Sequence, residues 1–566
     1  MRPPTMAARL RPLGEERFAW IWLMLAMVCA AVLILWLNRG TTFWVDELSW
    51  FMESPSFSLK SALQPHLGHL VLTSHVVYKV IFELFGASYL PFRILAPGTL
   101  ILTVALFFRY TSRRVGGFVA LAPSVLLLFL GSDYLHVLAG NGFTVLGSVA
   151  CGVGTFLALG REDRRGDAWA CALLLLGVVT YSVALGFLFG AAVLILLGED
   201  RRRRAWVFLV PLSIYGAWWI WSRLAFSGPE SGTEPLNLLV LPAWAFQSLS
   251  AVLSAFTGLS YQFAGAAQAA AVGPVLAVAA IILLGVRLHR GSISRGLWGA
   301  IGTVVSLWAL GAITAGGIRF PENSRYFYPV GIGLLLVAAE SLRGARWPRS
   351  GMIALYLVIF SGLGANLHLL RDGGAALRGP FASHVHASFT ALDLAGRNAQ
   401  PTFSLIQADG SPAPGNSALS VPFDIFDGRG DAPVSAYLSA AARYGSLGYS
   451  LPALRRQEDG VRAETDGVLA EALGLKLAPA SALPRGPGCA RVAGNAAAPL
   501  PRGGALLMAE DAPASVSLGR FADGQNVPLG ELSPSMPALL KIPVDRAPDP
   551  WRASAGGGTL IVCPLR

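Results

Sequence analysis

FAWIWLMLAMVCAAVLILWLN, residues 18–38, contains no charged side chain. A helix that crosses the hydrocarbon core of a bilayer needs about 20 apolar residues. This run meets that length, so it reads as a membrane span. It is too long for the core of a secretory signal and offers no small-residue cleavage site. It therefore reads as an anchored first helix, with residues 1–17 as an Arg-containing cytoplasmic tail. Further apolar runs follow near 89–110, 116–132, 142–160, 168–181, 183–198, 205–222, 269–287, 296–316, 328–342 and 351–368. The stretch 168–198 lies between REDRRGD (161–167) and EDRRRR (199–204) and is too long for one comfortable helix, so it reads as a tight helical hairpin. The expected fold is an all-α polytopic membrane domain of about 11 transmembrane helices.

Composition agrees. The chain is 54% hydrophobic and 14% charged, where soluble domains carry roughly 25% charged residues. A net charge of +11 suits nucleic acid or an anionic surface. The arginines decide between them, because they sit in short clusters between apolar runs: Arg113-Arg114, Arg161 to Arg165, and Arg201 to Arg204. That is a topology signal. The expected partner is the lipid bilayer, with no nucleic acid. Loops assigned to the cytoplasm hold about 20 Lys and Arg and those assigned outside about 7, as the positive-inside rule requires. Eleven crossings then put residues 370–566 outside the cytoplasm.

Residues 18–369 thus form the membrane domain, and 370–566 an extracytoplasmic soluble domain of ordinary size. Helical character at 383–397 and 434–445, with strand-like runs at 514–521, 537–544 and 558–566, points to an α+β or β-sandwich fold. Cys489 and Cys563 lie in this domain and are able to form a disulfide in an oxidising compartment. Cys29, Cys151 and Cys171 fall inside apolar runs and read as small buried hydrophobes. Two long outer loops are expected, at 40–88 and 223–268. Segment 67–86 spaces His69, His75, Lys79 and Glu83 at helical intervals, leaving one apolar face. It reads as a helix in the outer interface rather than a span. Segment 236–258 has the same character, more weakly.

Ionisable groups are nearly absent from mid-span, where a charge is costly. They collect instead on the expected outer side: Asp46, Glu47, His66, His69, Asp133, His136, Glu322, Arg325 and Arg93. This places chemistry at the outer boundary. The sharpest element is FWVDELSW (43–50), just past the first helix. Two adjacent acids among aromatic residues are partly desolvated, which makes a carboxylate a better general base near neutral pH. A solvated juxtamembrane acid pair is the bland alternative.

An acid pair directly after the first span resembles the C-type (GT-C) membrane glycosyltransferases, which include protein O-mannosyltransferases, lipid A aminoarabinose transferases and bacterial arabinofuranosyltransferases. FELFGASYLPFRILAPGTLILTVALFFRYTSRRVGG (82–117) is similar to their entry into the second helix, and RYFYPVGIGLLL (325–336) to a late outer loop returning to the membrane. The resemblance implies a bacterial cytoplasmic (inner) membrane enzyme. It would use a polyprenyl-phosphate-linked sugar donor and a glycan, lipid or protein acceptor. It implies Asp46 as the catalytic base and Glu47 as its positioning partner. Arg325 first and Arg93 second would neutralise the leaving phosphate, for which the planar guanidinium fork is suited. A divalent cation, magnesium or manganese, is an alternative neutraliser.

His66 and His69, three residues apart, suit a metal or a sugar hydroxyl, or simply a polar helix start. Asp133 and His136 in GSDYLH (131–136) suit a substrate or metal, or a helix cap. Tyr326 is either a stacking surface for a sugar or part of an interfacial aromatic belt. Phosphate-loop and dinucleotide signatures are absent, so no nucleotide is expected. Two other functions compete: a transporter or flippase of lipid-linked saccharides, and a non-enzymatic envelope assembly protein.

Overall fold

The computed structural model describes every residue except 1–5, 44, 227–233, 259, 262–267, 270–271, 292, 316–318, 401–402, 404–433, 482–487, 495, 525, 535 and 566. The protein is mostly helical. Among the described residues, eight helical runs are long and apolar enough to cross a membrane: Glu15–Leu37, Leu90–Val115, Gly117–Leu138, Gly142–Leu159, Pro235–Thr257, Val272–Arg290, Arg295–Ile313 and Arg349–Asn398. Their outward faces carry large apolar side chains. Val32 on the first helix is 65% exposed, Leu283 70% and Leu357 65%. Water does not wet such a continuous apolar band; lipid does.

The other expected spans are also helical but fall short. Arg164–Thr180 has 17 residues, Ala184–Leu196 has 13 and Phe327–Ser341 has 15. At 1.5 Å per residue a 13-residue helix reaches only about 20 Å. The stretch 168–198 is two helices, broken where Tyr181 turns to extended backbone. Trp206–Ala225 is long enough but carries Trp206, Trp218, Trp219 and Trp221, and it is not among the eight. The first helix starts upstream of the apolar run, at Met6.

Two sequence expectations need correction. Segment 236–258 is not a surface helix. Trp244, Leu249, Val252, Ala255 and Phe256 on Leu241–Thr257 are buried, and that helix packs on Val272–Arg290, Arg295–Ile313 and Arg349–Ala376. Its serines, Ser248, Ser250 and Ser254, are buried, and Ser250 Oγ donates to the Phe246 carbonyl at 2.8 Å. Cys29 is exposed rather than buried, because it lies on the outward apolar face of the first helix. Cys151 and Cys171 are buried.

The chain divides into two compact units, residues 1–44, 58–77 and 89–376, and residues 45–57, 78–88 and 377–566. In the first, helices approach closely through small residues, the usual device where lipid gives no hydrophobic drive. Helix Ala184–Leu196 crosses Arg295–Ile313 at Gly190, where an added Cβ would collide with Thr303 Oγ1 and the Gly299 carbonyl. At the Arg-rich end, Glu340 is fully buried. It is paired with Arg114 and accepts a 2.7 Å bond from Tyr110 Oη. Breaking a buried ion pair from one side costs about 3–5 kcal/mol. Glu340→Ala is therefore expected to lower the melting temperature of the detergent-purified protein sharply, and Glu340→Gln less so.

In the second unit, helices Ala382–Ala395, Val434–Tyr444 and Asp459–Ala472 precede two antiparallel sheets. One has the strand order Ala497–Pro499, Arg552–Gly557, Ala514–Gly519, Val527–Leu532. The other runs Leu477–Pro479, Ala538–Ile542, Gly503–Ala509, Leu560–Pro564, Ala490–Val492. Alternate residues face the core, as the two-residue repeat of a strand dictates: Ala505, Leu507 and Ala509 in one sheet, and Ala514, Val516 and Leu518 in the other, are buried. Cys489 and Cys563 are joined by a disulfide with Cα atoms 4.2 Å apart.

Candidate active site

The acid pair opens the nine-residue helix Val45–Glu53. The partial positive charge of a helix N-terminus stabilises carboxylates placed there. The two acids are not equivalent. Glu47 is completely buried and accepts a hydrogen bond from Tyr78 Oη. Trp50, one turn on, packs on the Tyr78 ring with centroids 4.6 Å apart. Asp46 is half-buried. Of the two, Asp46 is therefore the carboxylate that a solute reaches, and Glu47 is a fixed internal anchor.

Arg325 and Tyr326 form a single helical turn, Ser324–Tyr326, ahead of helix Phe327–Ser341. Both line a cavity of about 460 Å³ within the membrane unit. Arg223 and Arg319 line it too, as do His69, Ser182 and Tyr215. Its remaining walls are largely apolar and include Leu185, Leu307, Leu310 and Val330. Arg319 donates to the Leu67 carbonyl at 3.1 Å, and the Arg223 guanidinium lies 5.2 Å from the Trp219 ring centroid. Tyr326 meets Trp244 edge to face at 6.1 Å. A cavity with cationic forks and aliphatic walls suits an anion carried on a hydrocarbon chain.

His69 reaches this cavity because of a two-residue turn. His66 and His69 exchange both backbone hydrogen bonds at 2.9 Å, with Leu67 at φ 49° and Gly68 at φ 81°. Positive φ at both central positions is the hairpin turn that glycine favours and leucine resists. His69 Nδ1 is 2.7 Å from Ser182 Oγ, and its ring packs on Tyr181 at 4.7 Å. His66 is not among the cavity residues.

Three other expected site residues lie elsewhere in their unit. Arg93, at the start of Leu90–Val115, is tied to Asn38 just past the first helix. Its Nη1 donates to the Asn38 carbonyl at 3.4 Å, and Asn38 Nδ2 donates to the Arg93 carbonyl at 3.2 Å. That is where a cation best meets a helix C-terminus. Asp133 is fully buried, and both its carboxylate oxygens lie 2.8 Å from His136 Nδ1. It makes no side-chain cap to the helix it precedes. None of the three borders the Arg325 cavity.

Sequence reasoning passed over Arg223, Ser182 and Tyr181. The usable signal for Arg223 was its place: like Arg325 it flanks an apolar run on the arginine-poor side. Among the described residues, no group of three or more His, Cys, Asp or Glu converges as metal ligands. A scan against protein-family models finds no match to this chain, and a search of curated proteins finds none either.

Proposed function

We propose that the protein is an inverting glycosyltransferase. It moves a sugar from a polyprenyl-phosphate carrier to a hydroxyl of a glycan, lipid or protein on the outer face of a bacterial cytoplasmic membrane. The observation that carries this reading is the cavity in which Arg223, Arg319 and Arg325 meet apolar walls. Such a site takes a phosphate at its polar end and an isoprenoid along its wall.

In this reading the Asp46 carboxylate accepts the proton of the acceptor hydroxyl as that oxygen attacks the anomeric carbon. The bond from that carbon to the phosphate oxygen breaks, and polyprenyl phosphate leaves without needing a proton. One base suffices. The arginines hold the growing phosphate charge, which is where preorganised electrostatics contribute most. Glu47, held by Tyr78, fixes the start of the acid helix. Among the described residues the metal-type donors come in pairs, such as Asp133 with His136, rather than in groups of three. By the arginine distribution, the N-terminus is cytoplasmic, and the acid helix, one crossing on, lies outside.

The test is binding of the product carrier. Polyprenyl phosphate in detergent micelles is expected to bind the purified protein, and the uncharged polyprenol at least tenfold more weakly. Equal binding of the two would contradict a phosphate site. A transporter or flippase of lipid-linked saccharides would also bind the carrier, but it would not depend on Asp46 for chemistry.

A further inference from the structure

A nine-residue helix has little stability of its own, because nucleation is costly. Val45–Glu53 must be held by what surrounds it. Within its compact unit, residues 45–57 and 78–88 cluster with the C-terminal part of the chain, and the helix that meets them there is Val434–Tyr444. Phe51 is fully buried. Its ring packs against Phe82 at 5.2 Å, Tyr444 at 6.0 Å and Tyr437 at 6.4 Å. Tyr444 stacks on Phe82 at 5.5 Å.

Polar bonds tighten the same joint. Lys79 Nζ donates to the Ser54 carbonyl at 2.8 Å, to Tyr444 Oη at 3.0 Å and to Glu83 at 2.5 Å. Tyr444 Oη donates to Glu83 Oε1 at 2.9 Å, and Arg443 pairs with the same oxygen at 2.8 Å. Ala87 N donates to the Tyr444 carbonyl at 2.8 Å. Gly86, at φ 60°, leaves room for that carbonyl, which an added Cβ would crowd. At the far side, Tyr437 Oη donates to Asp393 Oδ1 at 2.9 Å and packs on Phe389 at 4.4 Å. The hydrogen bonds from Lys79 and Tyr444 hold the Glu83 carboxyl down at about 2. The joint therefore keeps its charge above the ordinary carboxylate range and loosens only as pH falls from about 4.5 towards 2.

We infer that helix Val434–Tyr444 is the positioning element of the acid pair, with Tyr444 and Tyr437 setting the orientation of Val45–Glu53 through Phe51, Phe82 and Lys79. The C-terminal region is then part of the catalytic assembly. This rests on the glycosyltransferase reading for its functional half. Its structural half stands alone.

The experiment uses the full-length protein with Tyr444→Ala and the milder Tyr444→Phe, which keeps the ring and loses the bond to Glu83. Hydrogen exchange over residues 45–57 and 78–88 is expected to quicken at least tenfold in Tyr444→Ala and less in Tyr444→Phe. Turnover should fall in the same order while KM for the donor holds. Unchanged exchange in a folded Tyr444→Ala protein would overturn the inference, and so would faster exchange with unchanged turnover. A wild-type protein that transfers no sugar from any carrier would overturn the functional reading, while the exchange data still decide the contact.

Discussion

Asp46→Asn is expected to cut sugar transfer 10²- to 10⁴-fold while leaving the protein folded and able to bind polyprenyl phosphate. The size follows from what a positioned general base contributes. The selectivity follows from place. Asp46 is half-exposed at the first turn of Val45–Glu53. Asparagine has nearly the same shape, and the loss of a carboxylate at a helix N-terminus is worth about 0.3–1 kcal/mol. Glu47→Gln should behave differently. Glu47 is buried under Tyr78, so removing its charge disturbs the anchor and shows as lower stability together with lower turnover. Steady-state transfer in proteoliposomes, with thermal unfolding alongside, separates the two. An Asp46→Asn protein that turns over at the wild-type rate would remove the base from the mechanism.

The second large effect is expected at the arginine cavity. Arg325→Ala should lower turnover about 10²- to 10³-fold, the range measured when one group stabilising transition-state charge is lost. Lysine should restore only part of it, because a point charge cannot make the two parallel bonds of a guanidinium. Arg319→Ala and Arg223→Ala should each cost less, since Arg319 also bonds the Leu67 carbonyl and Arg223 also lies on Trp219. Groups that share one phosphate act as a unit, so a double replacement should cost less than the sum of the single ones. Arg93→Ala should mainly affect stability, because Arg93 holds the end of the first helix. Kinetics with varied donor would show this as a fall in kcat for Arg325 and little change in kcat for Arg93.

The membrane fold was legible because span length is set by bilayer thickness, and FAWIWLMLAMVCAAVLILWLN meets that length without a charge. Segment 236–258 was misread for a physical reason. Ser248, Ser250 and Ser254 interrupt its apolar pattern, yet all three are buried. Ser250 bonds its own helix backbone, and a serine so satisfied is buried as easily as alanine. The acid pair was visible because its two members are adjacent and local sequence is enough to see them. Their unequal roles were not visible, because Tyr78, which buries Glu47, lies 31 positions away.

The cavity shows the same limit. Arg325 and His69 stand out one at a time. Only the fold brings Arg223 and Ser182 beside them. Nothing local links Phe51 to Tyr437 and Tyr444, so the part that the C-terminal region plays around the acid helix had no sequence signature.

The most direct measurement is mass spectrometry of lipid-linked sugars and surface glycans in the native host, comparing the wild-type gene, its deletion and Asp46→Asn. Deletion and Asp46→Asn should both accumulate one polyprenyl-phosphate sugar and lose that same sugar from one surface glycan, lipid or protein, with the wild-type gene restoring both. If Asp46→Asn restores the pattern as fully as wild type, or if deletion leaves every carrier-linked sugar and every surface glycan unchanged, the account is contradicted.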